Sequence, residues 1–308
     1  MQENQYHKSV LLEESIDGLN IKPDGVYVDV TFGGGGHSRE ILKRLGDDGR
    51  LYAFDQDPDA IQNEIDDPRF ILIQSNFSFM KRFLKLHGVS QVDGVLADLG
   101  VSSHQFDEAD RGFSIRFDAR LDMRMNQESE VDAVHVVNQY DESDLLRIFK
   151  EYGELRIAPK LVRRIVQERA LQPIETVGDL KRICKPLVPA RMENKLLAQV
   201  FQAIRIEVNR EMEVLYDFLI QAKEVLKIGG RLSVISYHSL EDRPVKRFMR
   251  NGLFEGEPEK DVFGRAEVPF KKVGKLIVPT AAQIEENNRA RSAKLRIAEK
   301  SQTCSYGV

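Results

Sequence analysis

The sequence predicts an α/β protein whose mostly parallel sheet is interrupted by an inserted helical region. Short β-type runs alternate with helix-like segments over about the first 100 residues, a pattern typical of parallel sheets covered by helices on both faces. Strand patterns are missing from Asp141 to about Leu226 and then return. Four consecutive glycines follow the first strand, where sheets of this class bind ligands.

The predicted strands are short apolar runs rich in β-branched and aromatic residues. Four of them precede the helical region and three follow it. Helix-like segments, such as Ser38–Leu45 and Pro58–Glu64, lie between the first four. The strands are Val26–Val30, Leu51–Phe54, Phe70–Ile73, Val92–Ala97, Arg231–Ser236, Lys275–Val278 and Ala293–Ala298.

Residues after Asp141 have the apolar spacing of helices, as at Leu145, Ile148, Phe149 and Tyr152. Thr176 is a predicted N-cap. One longer helix is expected to run from Leu196 through Leu215 and to end at the pair Gly229-Gly230.

A long polar segment, residues 102–130, precedes these helices and interleaves aromatic with arginine residues. Connections of this length are usually functional. The aromatic and arginine residues are Phe106, Phe113, Phe117, Arg111, Arg116, Arg120 and Arg124.

Composition excludes several classes of protein. The 308 residues carry a net charge of −4, which argues against indiscriminate coating of nucleic acid. No apolar stretch reaches the roughly 18 residues that span a bilayer, and the N-terminus does not resemble a signal peptide. Cys184 and Cys304 are isolated, so a zinc site or a disulfide framework is not expected and a cytoplasmic location is the default.

The glycine turn in VYVDVTFGGGGHSREIL places backbone N–H groups beside a ligand. The dinucleotide fingerprint GxGxxG needs a third glycine where this chain has Ser38. Asp55 ends the next strand, 22 residues after Gly33, where an acidic side chain binds ribose hydroxyls. This combination favours a nucleoside ligand without a pyrophosphate, such as S-adenosylmethionine. A tight structural turn with a solvent-facing Asp55 is the alternative.

Two further groups of polar residues follow strands at the same edge of the sheet. Asp98 ends the fourth strand, next to the first strand across the switch point. Tyr237 to Asp242 follow the fifth. The His238-Ser239 pair raises a hydrolase alternative, but no GxSxG motif surrounds Ser239, and a helix cap is the simpler role.

Motifs along nearly the whole chain resemble those of the bacterial ribosomal RNA small-subunit methyltransferase H family, which methylates N4 of a cytosine in 16S rRNA. The resemblance implies a Rossmann-like, class I S-adenosylmethionine-dependent methyltransferase sheet with a helical insert, and it implies no metal. We assign residues 1–104 and 206–308 to the sheet and residues 105–205 to the all-helical insert. The aromatic and arginine residues before its helices predict that the insert recognises RNA. The matching motifs are HKSVLLEE, DVTFGGGGHS, FDQDP, ADLGVSS, RGFS, LDMRM, FQAIRIEVN, GGRLSVISYHSLEDRPVKRFMR and ARSAKLRIAEK.

The resemblance also implies which residues bind the cofactor. Phe77 and Gln105 come from it alone; otherwise Phe77 would be read as a core residue and Gln105 as an exposed loop residue. The implied set is Gly35, Gly36, His37, Asp55, Phe77, Asp98 and Gln105.

Methylation of an amine requires an acceptor for the amine proton. Asp98 is the first candidate, and a backbone carbonyl is the alternative. The motif Asn/Asp/Ser-Pro-Pro-aromatic of many amino-group methyltransferases is absent, because the segment reads Asp98-Leu99-Gly100-Val101. Phe113 is a candidate for stacking on the target base, with loop packing as its alternative.

Three basic clusters, at residues 160–169, 243–250 and 289–296, favour a localised RNA footprint, although each alone fits a solvated helix face. The expected partner is 16S rRNA or the small ribosomal subunit, with no membrane. A homodimer stays open. Two other functions are considered, a nicotinamide-dependent oxidoreductase and a non-catalytic RNA-binding protein.

Overall fold

The chain is described from a computed structural model, which covers residues 9–260 and 266–301. It divides into two compact units, one formed by Met1–Gly100 with Glu213–Val308 and the other by Val101–Met212. The predicted insert, residues 105–205, falls within the second unit. Cys304 and the first two residues of HKSVLLEE lie outside the described residues.

The first unit contains a seven-stranded sheet of order β3-β2-β1-β4-β5-β7-β6. Strands β1 to β5 pair in parallel, and β7 is antiparallel to both of its neighbours. All seven predicted strands are confirmed, and the order reverses between β1 and β4 as in Rossmann-like sheets. The strands are β1 (Val26–Asp29), β2 (Arg50–Asp55), β3 (Phe70–Gln74), β4 (Val92–Asp98), β5 (Leu226–Ser236), β6 (Phe270–Ile277) and β7 (Lys294–Lys300).

Helices precede, separate and follow the strands. None of those in the described residues is both long and apolar enough to cross a membrane. The predicted helix at Pro58–Glu64 is a 3-10 helix, Pro58–Asn63. The α-helices are α1 (Leu12–Leu19), α2 (Gly36–Arg44), α3 (Met80–Leu86), α4 (Ser103–Asp107), α5 (Ala133–Gln139), α6 (Glu142–Glu151), α7 (Ala158–Arg169), α8 (Val177–Cys184), α9 (Glu193–Asn209), α10 (Glu211–Val225), α11 (Ser239–Asn251) and α12 (Ala281–Glu286).

The second unit has a hydrophobic core of its own, built from α5 to α9 and the segment before them. Leu145, Ile148 and Phe149 are fully buried in it, as their helical spacing predicts. Thr176 caps α8, because its hydroxyl accepts the N–H of Asp179 at 3.1 Å and the Asp179 carboxylate accepts the N–H of Thr176 at 3.1 Å.

The single long helix predicted through Leu196 and Leu215 is wrong. Arg210 has a left-handed backbone (φ +50°), which separates α9 from α10. The pair Gly229-Gly230 does not stop α10, which ends earlier at Val225. Leu226 already pairs with Val92, and the β4–β5 register shifts before Gly94 pairs with Arg231. The glycines therefore form an irregularity within β5, where Gly229 adopts φ +78°.

Candidate functional site

The glycine turn joins β1 to α2 at the carboxyl edge of the sheet. Gly33 and Gly35 have left-handed backbones (φ +50° and +75°), and Gly35 is the N-cap of α2. A Cβ on Gly36 would overlap the Ser9 hydroxyl. Part of the glycine requirement therefore comes from the chain's own packing, and the turn still presents main-chain groups at this edge.

Asp55 closes the turn from the end of β2. Its Oδ2 accepts the N–H of Gly33 at 2.8 Å, and its Oδ1 accepts the N–H of Asp57 at 2.9 Å. Burial raises the pKa of Asp55 to about 6, despite these two hydrogen bonds. Since a carboxylate oxygen has two lone pairs, both oxygens keep capacity for a further donor. Asp55 is partly exposed and is tied to the turn by these hydrogen bonds, and its role in ribose binding stays a prediction.

Ser38 and Asp29 form a buried pair beneath the turn. The Ser38 hydroxyl donates to Asp29 Oδ2 at 2.7 Å, and both side chains are fully buried. Burial raises the pKa of Asp29. This contact explains why the third position of the dinucleotide fingerprint holds serine. Sequence reasoning missed Asp29, although an acid within the β-branched run VYVDV was a usable signal.

Asp98 lies at the end of β4 and is held by two neighbouring strand ends. Its backbone N–H donates to Thr31 Oγ1 at 2.7 Å, and the Tyr237 hydroxyl donates to its Oδ1 at 2.7 Å. Burial raises the pKa of Asp98 to about 6 and holds the pKa of Tyr237 well above its usual value. The sequence placed Tyr237 at this edge but did not identify it as a partner of Asp98.

His37, in the first turn of α2, is the nearest basic group to Asp98. Its Nδ1 is 3.9 Å from Asp98 Oδ2, and its Nε2 is 3.3 Å from the carbonyl oxygen of Val10. Burial lowers the pKa of His37, which favours the neutral imidazole at physiological pH.

Tyr237 is itself positioned by α11. Glu241 Oε2 accepts the N–H groups of Tyr237 at 2.8 Å and His238 at 3.4 Å. His238 is the N-cap of α11, and Ser239 is its first residue. The predicted capping role of Ser239 is therefore wrong.

Phe77 lies just after β3, and β2 separates β3 from β1 and its glycine turn. Its ring is half-buried and packs edge-on against Phe218, with ring centroids 5.5 Å apart. The preceding Asn76 donates to Gln56 Oε1 at 2.8 Å, which links the ends of β3 and β2. Phe77 thus joins the core while remaining partly accessible at the edge.

Gln105 belongs to the second unit and is not an exposed loop residue. It is 4% exposed, and its Oε1 accepts the N–H of Ser102 in a capping box at the start of α4. Phe113 is 5% exposed and packs in the core of that unit, which favours its packing role over base stacking. Phe117 is more accessible, with Arg116 stacked 5.4 Å from its ring centroid.

Cys184 is fully buried in the second unit, and burial raises the pKa of its thiol to about 12. Methylation at C5 of cytosine would need a thiolate nucleophile. If the chain methylates N4 of a cytosine, as the family resemblance implies, a Cys184→Ala, Cys304→Ala double variant should keep its methylation rate within about twofold while losing roughly 1 kcal/mol of stability from the buried site. Nucleoside mass spectrometry and thermal unfolding measure both. A folded but inactive variant would contradict amine methylation.

The chain is similar in sequence to known methylases over nearly its whole length. The model of the MraW methylase family matches residues 4–301. Similar relatives bear the name ribosomal RNA small subunit methyltransferase H, among them those of three organisms. That of Christiangramia forsetii is 64% identical over 96% of this chain and 98% of its own length. That of Flavobacterium johnsoniae is 63% identical over 96% and 98%. That of Bacteroides thetaiotaomicron is 57% identical over 96% and 97%. An rRNA methylase structure from Streptococcus thermophilus is 12% identical over 96% and 98%, with a TM-score of 0.43.

Proposed function

The chain belongs to the MraW methylase family, and on that premise we propose that it methylates the exocyclic N4 of a cytosine in 16S rRNA, using S-adenosylmethionine. Membership of a methylase family excludes the nicotinamide-dependent oxidoreductase. The observation that carries the proposal is the contact between Asp55 and the glycine turn, 2.8 Å long, at the carboxyl ends of the neighbouring strands β1 and β2. Whether the enzyme acts as a homodimer is a matter for sedimentation analysis.

The methyl donor fits along the carboxyl edge of β1 to β4. In this proposal Asp55 would accept hydrogen bonds from the two ribose hydroxyls, and the turn at Gly35 and Gly36 would offer main-chain donors. The partly accessible ring of Phe77 supplies apolar surface for the adenine. His37 and Asp98 lie next to the turn, and Gln105 is assigned to the site by family resemblance.

The reaction needs placement and a proton acceptor. The N4 lone pair is delocalised into the cytosine ring, so the amine must be held in line behind the methyl carbon. S-adenosylmethionine, when bound, would supply an electrophilic methyl group and retain the electron pair of the broken C–S bond, and the methylated N4 would carry a positive charge. One N4 proton then leaves, and the Asp98 carboxylate is the group assigned to accept it. Tyr237 holds that carboxylate in place through its 2.7 Å hydrogen bond.

Asp55→Ala should weaken binding of S-adenosylmethionine. Hydrogen bonds to a charged group contribute about 1.5–3 kcal/mol, which corresponds to roughly one to two orders of magnitude in affinity. Isothermal titration calorimetry measures the change. Asp48→Asn, an exposed acid in the turn before β2, is the matched control and should bind normally. Unchanged affinity in folded Asp55→Ala would remove Asp55 from the site.

The proposed activity is tested most directly in cells. Ribosomal RNA from cells with and without this protein should differ by N4-methylcytidine at one nucleotide of 16S rRNA. Mass mapping of nuclease fragments locates that nucleotide. In vitro methylation of naked 16S rRNA and of assembled small subunits then identifies the substrate. The same methylation pattern in both cell types would overturn the proposal.

A further inference from the structure

A basic groove lies on the first unit between α11, β6 and β7. It encloses about 260 Å³. Among the described residues that line it, five are cationic, five are apolar and none is acidic. They are Lys246, Arg250, Lys272, Lys275, Arg296, Met249, Phe270, Val273, Leu276 and Ile297. We call this surface the basic groove.

The basic groove brings together clusters that are far apart in sequence. Lys246 and Arg250 come from the cluster at residues 243–250, on α11. Arg296 comes from the cluster at residues 289–296, on β7. Lys272 and Lys275, on β6, belong to neither cluster. Folding therefore concentrates positive charge on one surface of a chain whose net charge is −4.

Three of the five cations have no partner among the described residues. Lys246, Lys272 and Lys275 are exposed, and none of them forms an ion pair or hydrogen bond with the part of the chain that the structure describes. Arg296 is paired with Asp242 at 2.7 Å, and Arg250 lies 3.7 Å from Glu257. The unpaired lysines leave uncompensated charge for an anionic ligand.

Two arginines of the third cluster, at residues 160–169, form contacts with neighbouring groups of the second unit. Within the second unit, Arg169 donates to the carbonyl oxygens of Val137 and Tyr140, and Arg164 lies 3.5 Å from Glu168. These arginines are occupied by internal contacts. Lys160 and Arg163 of the same cluster are exposed and have no side-chain partner among the described residues, so unpaired charge alone does not distinguish the basic groove; its apolar floor does.

Edge strands often carry lysine because charge discourages pairing with another strand, and β6 is an edge strand. That explanation covers Lys272 and Lys275 but not Lys246, which is on a helix. It also does not account for the apolar floor, where Leu276 is 38% exposed. Cations around an apolar floor suit a nucleic acid strand, which presents phosphates and base faces together.

The position of the basic groove relates it to the methyl-transfer edge. α11 begins at Ser239, directly after Tyr237 and His238. At about 1.5 Å of rise per residue, Lys246 and Arg250 lie roughly 10 and 17 Å along the helix from its start. A strand rising ~3.4 Å per nucleotide covers this distance in about three to five nucleotides.

We propose that the basic groove binds the phosphate backbone of the ribosomal RNA a few nucleotides from the methylated cytosine. The inference rests on the proposed function. It assigns to the sheet-bearing unit a share in RNA binding, which the sequence pattern assigned to the helical insert.

The test variant is Lys246→Gln, Lys272→Gln, Lys275→Gln, and the matched control is Lys43→Gln, Lys81→Gln, Lys85→Gln. The control changes the same charge at three exposed lysines outside the groove. Filter binding of 16S rRNA across a salt series measures affinity, and methylation kinetics measure KM and kcat. At roughly 0.7 per phosphate contact, loss of three contacts should lower the slope of log K against log salt by ~2. We expect at least a tenfold rise in KM for RNA, with kcat and S-adenosylmethionine affinity unchanged.

The possible results separate the two proposals. The wild-type protein could fail to methylate RNA while the groove variant, but not the control variant, loses salt-dependent RNA binding. The proposed function would then be wrong, and RNA binding by the basic groove would be confirmed. Equal RNA affinity and equal KM in the wild-type protein and the groove variant would overturn the proposal that the basic groove binds RNA. Loss of affinity for assembled subunits but not for naked 16S rRNA would also overturn it, because the ligand would then be a ribosomal protein.

Discussion

Asp98→Asn is expected to lower kcat for methyl transfer by roughly two to four orders of magnitude, the usual contribution of a general base. Asparagine keeps the shape of the side chain and can still accept the hydrogen bond from Tyr237, but it cannot take the N4 proton. Single-turnover methylation of 16S rRNA measures the change. Activity within tenfold of wild type would transfer the role of proton acceptor to a backbone carbonyl.

The stability of Asp98→Asn provides a control, because it tests the ionisation of Asp98 independently of methyl transfer. Burial raises the pKa of Asp98 from 3.8 to about 6, so folding favours the protonated form. The stability contributed by the neutral carboxyl is complete below pH 3.8 and is lost as the pH rises through 6. Asparagine stays neutral, so we expect Asp98→Asn to be more stable than wild type at pH 8, by about 1–3 kcal/mol. Thermal unfolding at pH 5 and pH 8 measures this difference.

The same ionisation should appear in the pH profile. If the Asp98 carboxylate accepts the proton, kcat falls as the pH drops below the pKa of that group in the loaded enzyme. The hydrogen bond from Tyr237 lowers the pKa of Asp98. Tyr237→Phe should therefore move the acid limb to higher pH while kcat recovers at the plateau. If the acid limb of the kcat profile stays at the same pH in Tyr237→Phe, the assignment of Asp98 as the proton acceptor is contradicted.

Sequence spacing predicted the part of the site that depends on strand ends. The carboxyl ends of parallel strands meet at one edge, so residues 22 apart, Gly33 and Asp55, could be expected to lie together. The pair Tyr237 and Asp98 is 139 residues apart, and its hydrogen bond depends on how β5 pairs with β4 and how α11 holds the Tyr237 backbone. Such contacts follow from tertiary packing and leave no local pattern.

Other differences between the predicted and the observed structure also arise because tertiary pairing overrides local sequence preferences. Gly229 and Gly230 have the pattern of a helix stop, but pairing of Leu226 with Val92 starts the strand before them. Arg210 carries no helix-breaking signature, yet it adopts the left-handed backbone that separates two helices. Without the family resemblance Gln105 would be read as an exposed loop residue, since its polarity does not reveal that it is buried within the capping box of α4.

Replacing Val101–Arg210 with a flexible Gly/Ser linker should abolish methylation of ribosomal RNA while leaving S-adenosylmethionine affinity within about tenfold, or ~1.4 kcal/mol. The ends of the replaced segment are chosen to include the whole core of the second unit, whose buried residues run from Phe113 to Val208. A deletion ending at Ala203 would leave Ile204 and Val208 without that core. The cluster around β1 and β2 and the cluster around β7 consist of residues from the first unit.

We infer that the helical unit selects and positions RNA while the sheet binds the methyl donor, and the linker variant separates these roles. Calorimetry and a methylation assay are performed on the same preparation. Gln105→Ala in the full-length chain is the matched control, because Gln105 is the one assigned cofactor residue that the linker removes. If Gln105→Ala binds the donor normally but the linker variant does not, the helical unit stabilises the sheet rather than selecting RNA. A folded linker variant that still methylates 16S rRNA would overturn the division of roles, because the sheet and the basic groove would then suffice for recognition.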